Sequence, residues 1–238
     1  TFRNPALATK QVTTLDHISG GRAWMGIGAA WFETEHEAFG FSFGHSPGER
    51  LDWLNEAVGI MRGMLHGEEP SGSKYYDTKQ VRNDPPPLHR VPLLIGGAGE
   101  RKTLRIVAKY ADACNIGGTP ENVRHKDEVL RRHCEEIGRD ESEIERTTGT
   151  GVIIIRDDPK EAQRVFEETF RRNGNAELWT DQKIGTAEQV AERLRPFVEL
   201  GYRHLIVGLP SPYDEETMER MVSEVKPMLG SAVPASAR

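Results

Sequence analysis

The feature that most constrains the fold of this 238-residue chain is an alternation of capped helices with short apolar segments. Helix-start signals, in which a capping side chain is followed by proline or by Glu or Gln three residues later, stand at residues 4–5, 46–49, 119–120, 158–161 and 186–189. Apolar segments of strand length lie between them at 23–27, 92–95, 113–116, 151–155 and 204–207. The order predicts repeated β–α units.

The five apolar segments are almost continuously apolar, which is typical of strands that are covered on both faces in a parallel sheet. A doubly wound open sheet accommodates five strands, whereas a (β/α)8 barrel needs eight. Two observations favour the barrel. The segment from Gly26 to Trp31 lacks the third glycine of a dinucleotide-binding fingerprint. Glycine-rich strand ends also recur three times, as expected for a ring of loops around one opening.

Composition excludes several functional classes. The formal net charge of -6 argues against a polyanion-binding surface. The sequence has no apolar run long enough for a membrane span and no secretory signal pattern, so we expect a cytoplasmic protein. Cys114 and Cys134 match neither a disulfide framework nor a zinc site, and reduced thiols are expected.

Residues 67–90 fit no β–α unit and are interpreted as an inserted loop, which is either a lid or a passive surface excursion. The remainder of 1–230 is predicted to form a single partial barrel domain. Residues 231–238, rich in Ala and Ser, are expected to be a disordered tail.

Three strand ends are candidate ligand sites, because ligands of parallel barrels bind at the carboxyl ends of the strands. At the first, small residues around Gly28 and Ala29 let a flat ring or a phosphate approach the backbone, and Trp31 could form a wall. The alternative is a tight turn with Trp31 as a packing residue.

The second candidate combines four small residues with a helix start, where free N–H groups bind anions. These residues are Gly96, Gly97, Ala98 and Gly99, and Arg101 and Lys102 add positive charge. The alternative is a glycine-rich connection with solvated basic residues.

The third candidate is the segment Asn115, Ile116 and Gly117, where an amide side chain precedes two glycines. The alternative is a satisfied turn asparagine.

The acidic run around His36, with Glu33, Glu35 and Glu37, admits an acid–base or metal site. A solvated helix face is the more common origin of such a run, and no metal site is predicted. The sequence also has no serine-nucleophile elbow or metalloprotease motif, so a hydrolase is not supported.

Several separate motifs resemble the luciferase-like monooxygenase family. They lie at residues 4–8, 14–22, 25–31, 48–51, 94–104, 110–115 and 185–190. The resemblance implies an eight-stranded barrel with an insertion that binds FMN or the deazaflavin coenzyme F420. It is greatest to the F420-dependent branch, in which the segments that match Gly28-Ala29, Gly96 to Gly99 and Asn115 to Gly117 line the cofactor ring and phosphate.

The resemblance also implies three β–α units before Asn4, which carry a backbone bulge and the polar residues for proton transfer. No catalytic acid or base is therefore assigned, and a truncated chain is expected. Three functions stay open: hydride transfer between F420 and a small organic substrate, an FMN-dependent monooxygenase, and a non-catalytic cofactor-binding fragment. Family members are frequently dimers, so a homodimer is a further expectation.

Overall fold

The computed structural model describes residues 1–173 and 182–230, and these fall into two compact units. The first unit contains Thr1–Asn115 and Lys126–Glu145, and the second contains the described residues of 116–125, 146–173 and 182–230. Helix α5 (Pro120–Glu136) has residues in both units, and a 3₁₀ turn follows it at Glu141–Glu143. The tail predicted at 231–238 lies outside the described residues.

The first unit is built on three parallel strands, β1 (Met25–Ile27), β2 (Leu93–Gly96) and β3 (Ala113–Asn115). Its helices are α1 (Pro5–Ser19), α2 (Glu33–Phe39), α3 (Pro47–Leu65) and α4 (Thr103–Tyr110). The core is apolar, with fully or almost fully buried side chains from α3, β2 and α4: Val58, Met64, Leu93, Ile95, Leu104 and Val107.

Local sequence explains where the first helices begin and end. Asn4 Oδ1 accepts the N–H of Ala6 at 2.9 Å, and Gly20 ends α1 in the left-handed conformation at φ 67°. Ser46 Oγ accepts the N–H of Glu49 at 3.2 Å, as its spacing predicts. A complete capping box would also have the Glu49 carboxylate accept from the N–H of Ser46. That part of the prediction was wrong, because the Glu49 carboxylate accepts from His45 N–H at 2.7 Å.

The second unit is centred on the long strand β4 (Glu145–Ile155), which pairs in parallel with β5 (Gln182–Gly185) and β6 (His204–Gly208). Its other helices are α6 (Pro159–Asn173), α7 (Ala187–Glu199), α8 (Glu215–Arg220) and α9 (Lys226–Gly230), with one π-helical turn at Met221–Val225. At α7 the predicted capping box is complete, with Thr186 and Gln189 bonded in both directions.

Helices cover both faces of the carboxyl half of β4. Ile153 and Ile155 pack with residues of α7 and α9, whereas Val152 and Ile154 pack with α6. This two-sided burial explains why 151–155 is continuously apolar. The count of five strands was wrong, since the structure has six among the described residues, and β4 begins six residues before the predicted segment.

The predicted α/β class with parallel strands is confirmed, whereas a closed eight-stranded barrel, three preceding units and a single 1–230 domain stay predictions. Residues 67–90 contain no helix or strand, as expected of an inserted loop. Both cysteines are buried, and neither belongs to a disulfide. Among the described residues, no helix has the length and apolar character needed to cross a membrane.

Candidate functional site

The carboxyl ends of β1, β2 and β3 lie side by side at one edge of the first unit's sheet. In the parallel register Ile27 is opposite Ile95, and Gly96 is opposite Asn115. The turns that begin at Gly28 and Gly97 therefore leave neighbouring strands in the same direction. The structure thus brings together seven predicted site residues: Gly28, Ala29, Gly96, Gly97, Ala98, Gly99 and Asn115.

The glycines at this edge differ in what they permit. A Cβ on Gly28 would lie 3.5 Å from the Gly96 carbonyl oxygen, which is an ordinary contact. Gly97 has a φ of 124°, and a Cβ there would lie 3.1 Å from Thr103 Cγ2. A Cβ on Gly99 would lie 2.8 Å from Thr103 Oγ1. Close packing on the first residue of α4 therefore requires glycine at positions 97 and 99.

Asn115 carries the most informative polar atom at this edge. Its Oδ1 is buried and has no hydrogen-bond partner within the described part of the chain, while its backbone oxygen accepts from Gly97 N–H at 3.1 Å. A buried acceptor without a donor costs about 1–3 kcal/mol. Such an atom in a native protein calls for an explanation, and a ligand donor is one. The interpretation of Asn115 as a satisfied turn residue is not supported.

Backbone donors are available next to Asn115. Over residues 1–173 and 182–230, the N–H groups of Ala98 and Gly99 have no protein acceptor. They precede α4, whose N-cap residue Lys102 supplies no side-chain cap. Both residues lie before the first turn of α4, and Gly99 is exposed, so these N–H groups are open to an acceptor near the positive end of that helix.

The basic residues near α4 are less available than the sequence suggests. Lys102 Nζ lies 2.6 Å from Asp52 Oδ1 and donates to the Gly48 carbonyl at 3.0 Å. Its charge is therefore neutralised by α3. Arg101 is exposed. Positive charge at this edge comes mainly from the helix end and from Arg101.

A cavity of about 650 Å³ runs along β1 and reaches the first turn. Gly28, Ala30 and Trp31 line it together with Gln11 and Leu15 of α1. Trp31 is 73% exposed, so it is not a packing residue, and its role as a wall of a cofactor pocket stays a prediction. Ala30 has a φ of 61°, which is unusual for a residue with a side chain.

The acidic run belongs to a helix surface. Glu33, Glu35 and Glu37 are exposed on α2, whereas His36 is 1% exposed. The His36 ring nitrogens bond Phe32 O at 2.9 Å and Thr1 Oγ1 at 2.7 Å. In the described ranges, no three His, Cys, Asp or Glu side chains are grouped as a metal site would require. His36 is a structural residue of α2.

The remaining two predicted site residues belong to the second unit. Ile116 is fully buried and donates its N–H to Thr147 O at 3.1 Å. Gly117 is exposed, and its carbonyl accepts from Asn122 Nδ2 at 3.1 Å. Thr147 Oγ1 is a second buried polar atom that has no partner among the described residues. Sequence analysis missed Thr147, because a single threonine carries no recognisable motif.

Sequence analysis also gave no role to Arg50, which is only 8% exposed. Its Nε donates to the Ala29 carbonyl at 3.2 Å, and its Nη1 donates to the Phe43 carbonyl at 3.1 Å. The sequence signal that could have identified Arg50 is its place in segment 48–51, one of the motifs that resemble the luciferase-like monooxygenase family.

Comparisons with known proteins concern the family and the fold of this chain. A family model described as luciferase-like monooxygenase matches residues 1–182. The Mycobacterium tuberculosis protein Rv0940c, itself uncharacterized, is 30% identical over 140 residues, which are 58% of this chain and 46% of that protein. The match thus spans about half the length of this curated relative.

Two solved structures show the same fold. One is an F420-dependent secondary alcohol dehydrogenase that was solved with an F420-acetone adduct, and its TM-score is 0.80 at 20% identity. The alignment covers 96% of this chain and 76% of the dehydrogenase chain. The monooxygenase RslO1 from Streptomyces bottropensis has a TM-score of 0.75 at 18% identity, covering 95% and 74%. Identities this low show the fold alone.

Proposed function

We propose, from the premise that this chain belongs to the luciferase-like monooxygenase family, that it is an oxidoreductase that transfers a hydride between F420 and a small organic substrate. Proteins similar to this chain include an F420-dependent secondary alcohol dehydrogenase, a pyrimidine monooxygenase and a riboflavin lyase solved with modified FMN, and these names describe chemistry on small molecules.

The observation that carries the proposal is the buried, unpartnered Oδ1 of Asn115 at the strand-end edge. An acceptor in this state fits a ligand with a ring N–H group, and a deazaflavin or flavin ring has one. A purely structural asparagine is expected to have a donor for this atom, since the large majority of buried side-chain polar atoms have a hydrogen-bond partner. Binding of the ring would remove the cost of leaving this acceptor empty.

The backbone around Asn115 would complete the site. The free N–H groups of Ala98 and Gly99 would hold the phosphate, and Gly28 and Ala29 would give the ring room on the β1 side. Ile116 and Gly117, which follow Asn115 in the chain, stay in the proposed contact set. When bound, the cofactor supplies the redox chemistry, and these residues bind it, orient it and exclude water.

F420 is preferred to FMN on the sequence resemblance, and the F420-dependent alcohol dehydrogenase supports that choice. An FMN-dependent monooxygenase is the second candidate, since a pyrimidine monooxygenase is among the relatives of this chain and one structural neighbour holds a modified FMN. Both cofactors have a ring and a phosphate, so the described residues do not discriminate between them. Parallel titrations of the protein with F420 and with FMN, followed by fluorescence, decide between the two candidates.

The role of Asn115 is tested by Asn115→Ala with Asn83→Ala as the matched control. Asn83 is also a buried amide, but it is fully bonded, to Thr13 Oγ1 at 3.0 Å and to the Met64 carbonyl at 3.3 Å. We expect Asn115→Ala to weaken cofactor binding about tenfold while the melting temperature is unchanged or higher, because an unsatisfied buried atom is removed. Asn83→Ala should lower the melting temperature and leave affinity unchanged.

The two variants are expected to lower different quantities, cofactor affinity in Asn115→Ala and melting temperature in Asn83→Ala, so the experiment separates binding from stability. Equal affinity of Asn115→Ala and the unmodified protein for both cofactors would contradict the role of Asn115. If the unmodified protein bound neither F420 nor FMN, the proposed function itself would be wrong.

A further inference from the structure

Arg50 occupies an unusual position for a charged side chain, at the meeting point of α3 and the two segments that flank α2. It is 8% exposed, and no carboxylate pairs with it in the part of the chain that the structure describes. Lys and Arg are rarely buried to this extent without an anionic partner. Its burial therefore requires another explanation, which its contacts provide.

The guanidinium joins two segments through their backbones. Nε donates to the Ala29 carbonyl at 3.2 Å, and Nη1 donates to the Phe43 carbonyl at 3.1 Å. The same group lies 3.7 Å from the centre of the Phe43 ring. The planar fork of arginine makes these contacts together, which the point charge of lysine cannot do.

The residue that follows Ala29 explains why this turn needs support. Ala30 has a φ of 61°, in the left-handed region, where a side chain costs roughly 1–2 kcal/mol. Strained backbone persists only where the surroundings hold it in place. The bond from Arg50 to the Ala29 carbonyl acts on the peptide unit that immediately precedes the strained φ.

The second contact of Arg50 is itself anchored. The Phe43 ring lies 4.8 Å from the ring of the buried His36, and His36 bonds the Phe32 carbonyl. The turn after β1 is thus held on both sides of Trp31, by Arg50 at Ala29 and by His36 at Phe32. Trp31, which lines the cavity along β1, is left exposed between these two supports.

We propose that Arg50 is a positioning residue that fixes the turn Gly28–Ala30 and thereby the β1 side of the cofactor site. The inference rests on the proposed function, since it assigns the turn to that site. Arg50 does not itself contact the cofactor. It acts through the Ala29 carbonyl and the conformation of Ala30.

The test compares Arg50→Lys with Arg139→Lys in the same protein. Arg139 is a matched control, because it is also a mostly buried fork that donates to backbone carbonyls, to Ala108 at 2.8 Å and to Ala111 at 2.7 Å. Both variants keep the charge and lose the fork. The readouts are backbone ¹⁵N order parameters without cofactor, the melting temperature, and the dissociation constants for F420 and FMN.

We expect Arg50→Lys to lower the ¹⁵N order parameters of Ala30 and Trp31 from those of a rigid backbone towards those of a flexible loop. It should also weaken binding of the preferred cofactor about tenfold, which corresponds to the loss of one charge-assisted hydrogen bond. Arg139→Lys should lower the melting temperature but change the affinity by less than about twofold. A similar loss of affinity in both variants would show a general effect of stability and would overturn the proposal.

A rescue experiment separates positioning from packing. If Arg50 acts by holding Ala30 in the left-handed region, then Ala30→Gly, which removes the cost of that conformation, should restore affinity about threefold in the Arg50→Lys background. No recovery in the double variant would overturn the proposal. Absence of F420 and FMN binding by the unmodified protein would instead refute the proposed function, and the order parameter of Ala30 would still report whether Arg50 fixes the turn.

Discussion

Replacing Glu56 by glutamine should release the inserted loop from α3. The Glu56 carboxylate accepts N–H groups from four consecutive loop residues, Ser73 to Tyr76. The shortest of these bonds, from Ser73, is 2.7 Å, and the longest, from Tyr76, is 3.3 Å. A single side chain thus fixes the backbone of a segment that contains no helix or strand.

The magnitude follows from the number and type of these bonds. A hydrogen bond to a charged group contributes about 1.5–3 kcal/mol, but four donors share one partly exposed carboxylate, so their contributions do not add. We expect Glu56→Gln to lower the free energy of loop opening by about 2 kcal/mol, because glutamine keeps one acceptor oxygen and loses the charge. That change corresponds to roughly 30-fold faster exchange of the loop amides.

The pH dependence has a definite sign. Burial raises the pKa of Glu56, but the backbone N–H groups of Lys74, Ser73, Tyr75 and Tyr76 outweigh it, and the pKa lies below its ordinary value. A lowered folded-state pKa means that this contribution is complete above the ordinary glutamate pKa of about 4.3 and is lost as the pH falls through the folded pKa. Protection of the loop should therefore decrease below about pH 4.

Amide hydrogen exchange between pH 3 and 7, corrected for intrinsic rates, measures both effects. Asn55→Ala is the control, because Asn55 is an exposed neighbour on α3. It should leave the exchange of residues 73–76 unchanged. Equal protection of these amides in Glu56→Gln and in the unmodified protein, or full protection at pH 3, would refute the reasoning.

Two further predictions concern stability. Asp112 is a mostly buried carboxylate that accepts from Leu93 N–H at 2.9 Å and pairs with two arginines. Burial raises the pKa of this carboxyl group, but its contacts with Leu93 and the arginines outweigh burial and hold the pKa below its ordinary value. Asp112→Asn should therefore cost about 2–3 kcal/mol at pH 7 and progressively less as the pH falls through the folded pKa, as measured by urea denaturation at several pH values. Leu194→Ala removes a fully buried side chain from the packing of α7 on β4 and should cost about 2–5 kcal/mol in the same assay, whereas a loss below 1 kcal/mol would mean that this core is loosely packed.

Local signals in the sequence determined the helix starts and the strand-end turns. Asn4 and Thr186 cap their helices as predicted, because capping involves only atoms within three residues of the cap. The apolar run at 151–155 also identified a strand that is covered on both faces. The small residues at 28–29 and 96–99 predicted where the strands end, and the structure places Asn115 opposite Gly96 at that edge of the sheet.

Sequence reasoning was weaker where strand character comes from pairing. The first half of β4 is rich in Thr and Gly, and only its pairing with β6 identifies it as a strand. Strand β5 has four residues and includes the buried Lys183, so its pattern is not distinctive. Strand propensity depends on neighbours that a single segment does not reveal.

Only the tertiary structure decided which polar side chains are satisfied. It paired Lys102 with Asp52, placed Arg50 against Ala29, and left Asn115 Oδ1 without a donor. The two partners in each of the first two contacts are separated by 50 and 21 positions in the chain. No local pattern encodes such a contact, because it depends on how helices and strands pack after they form.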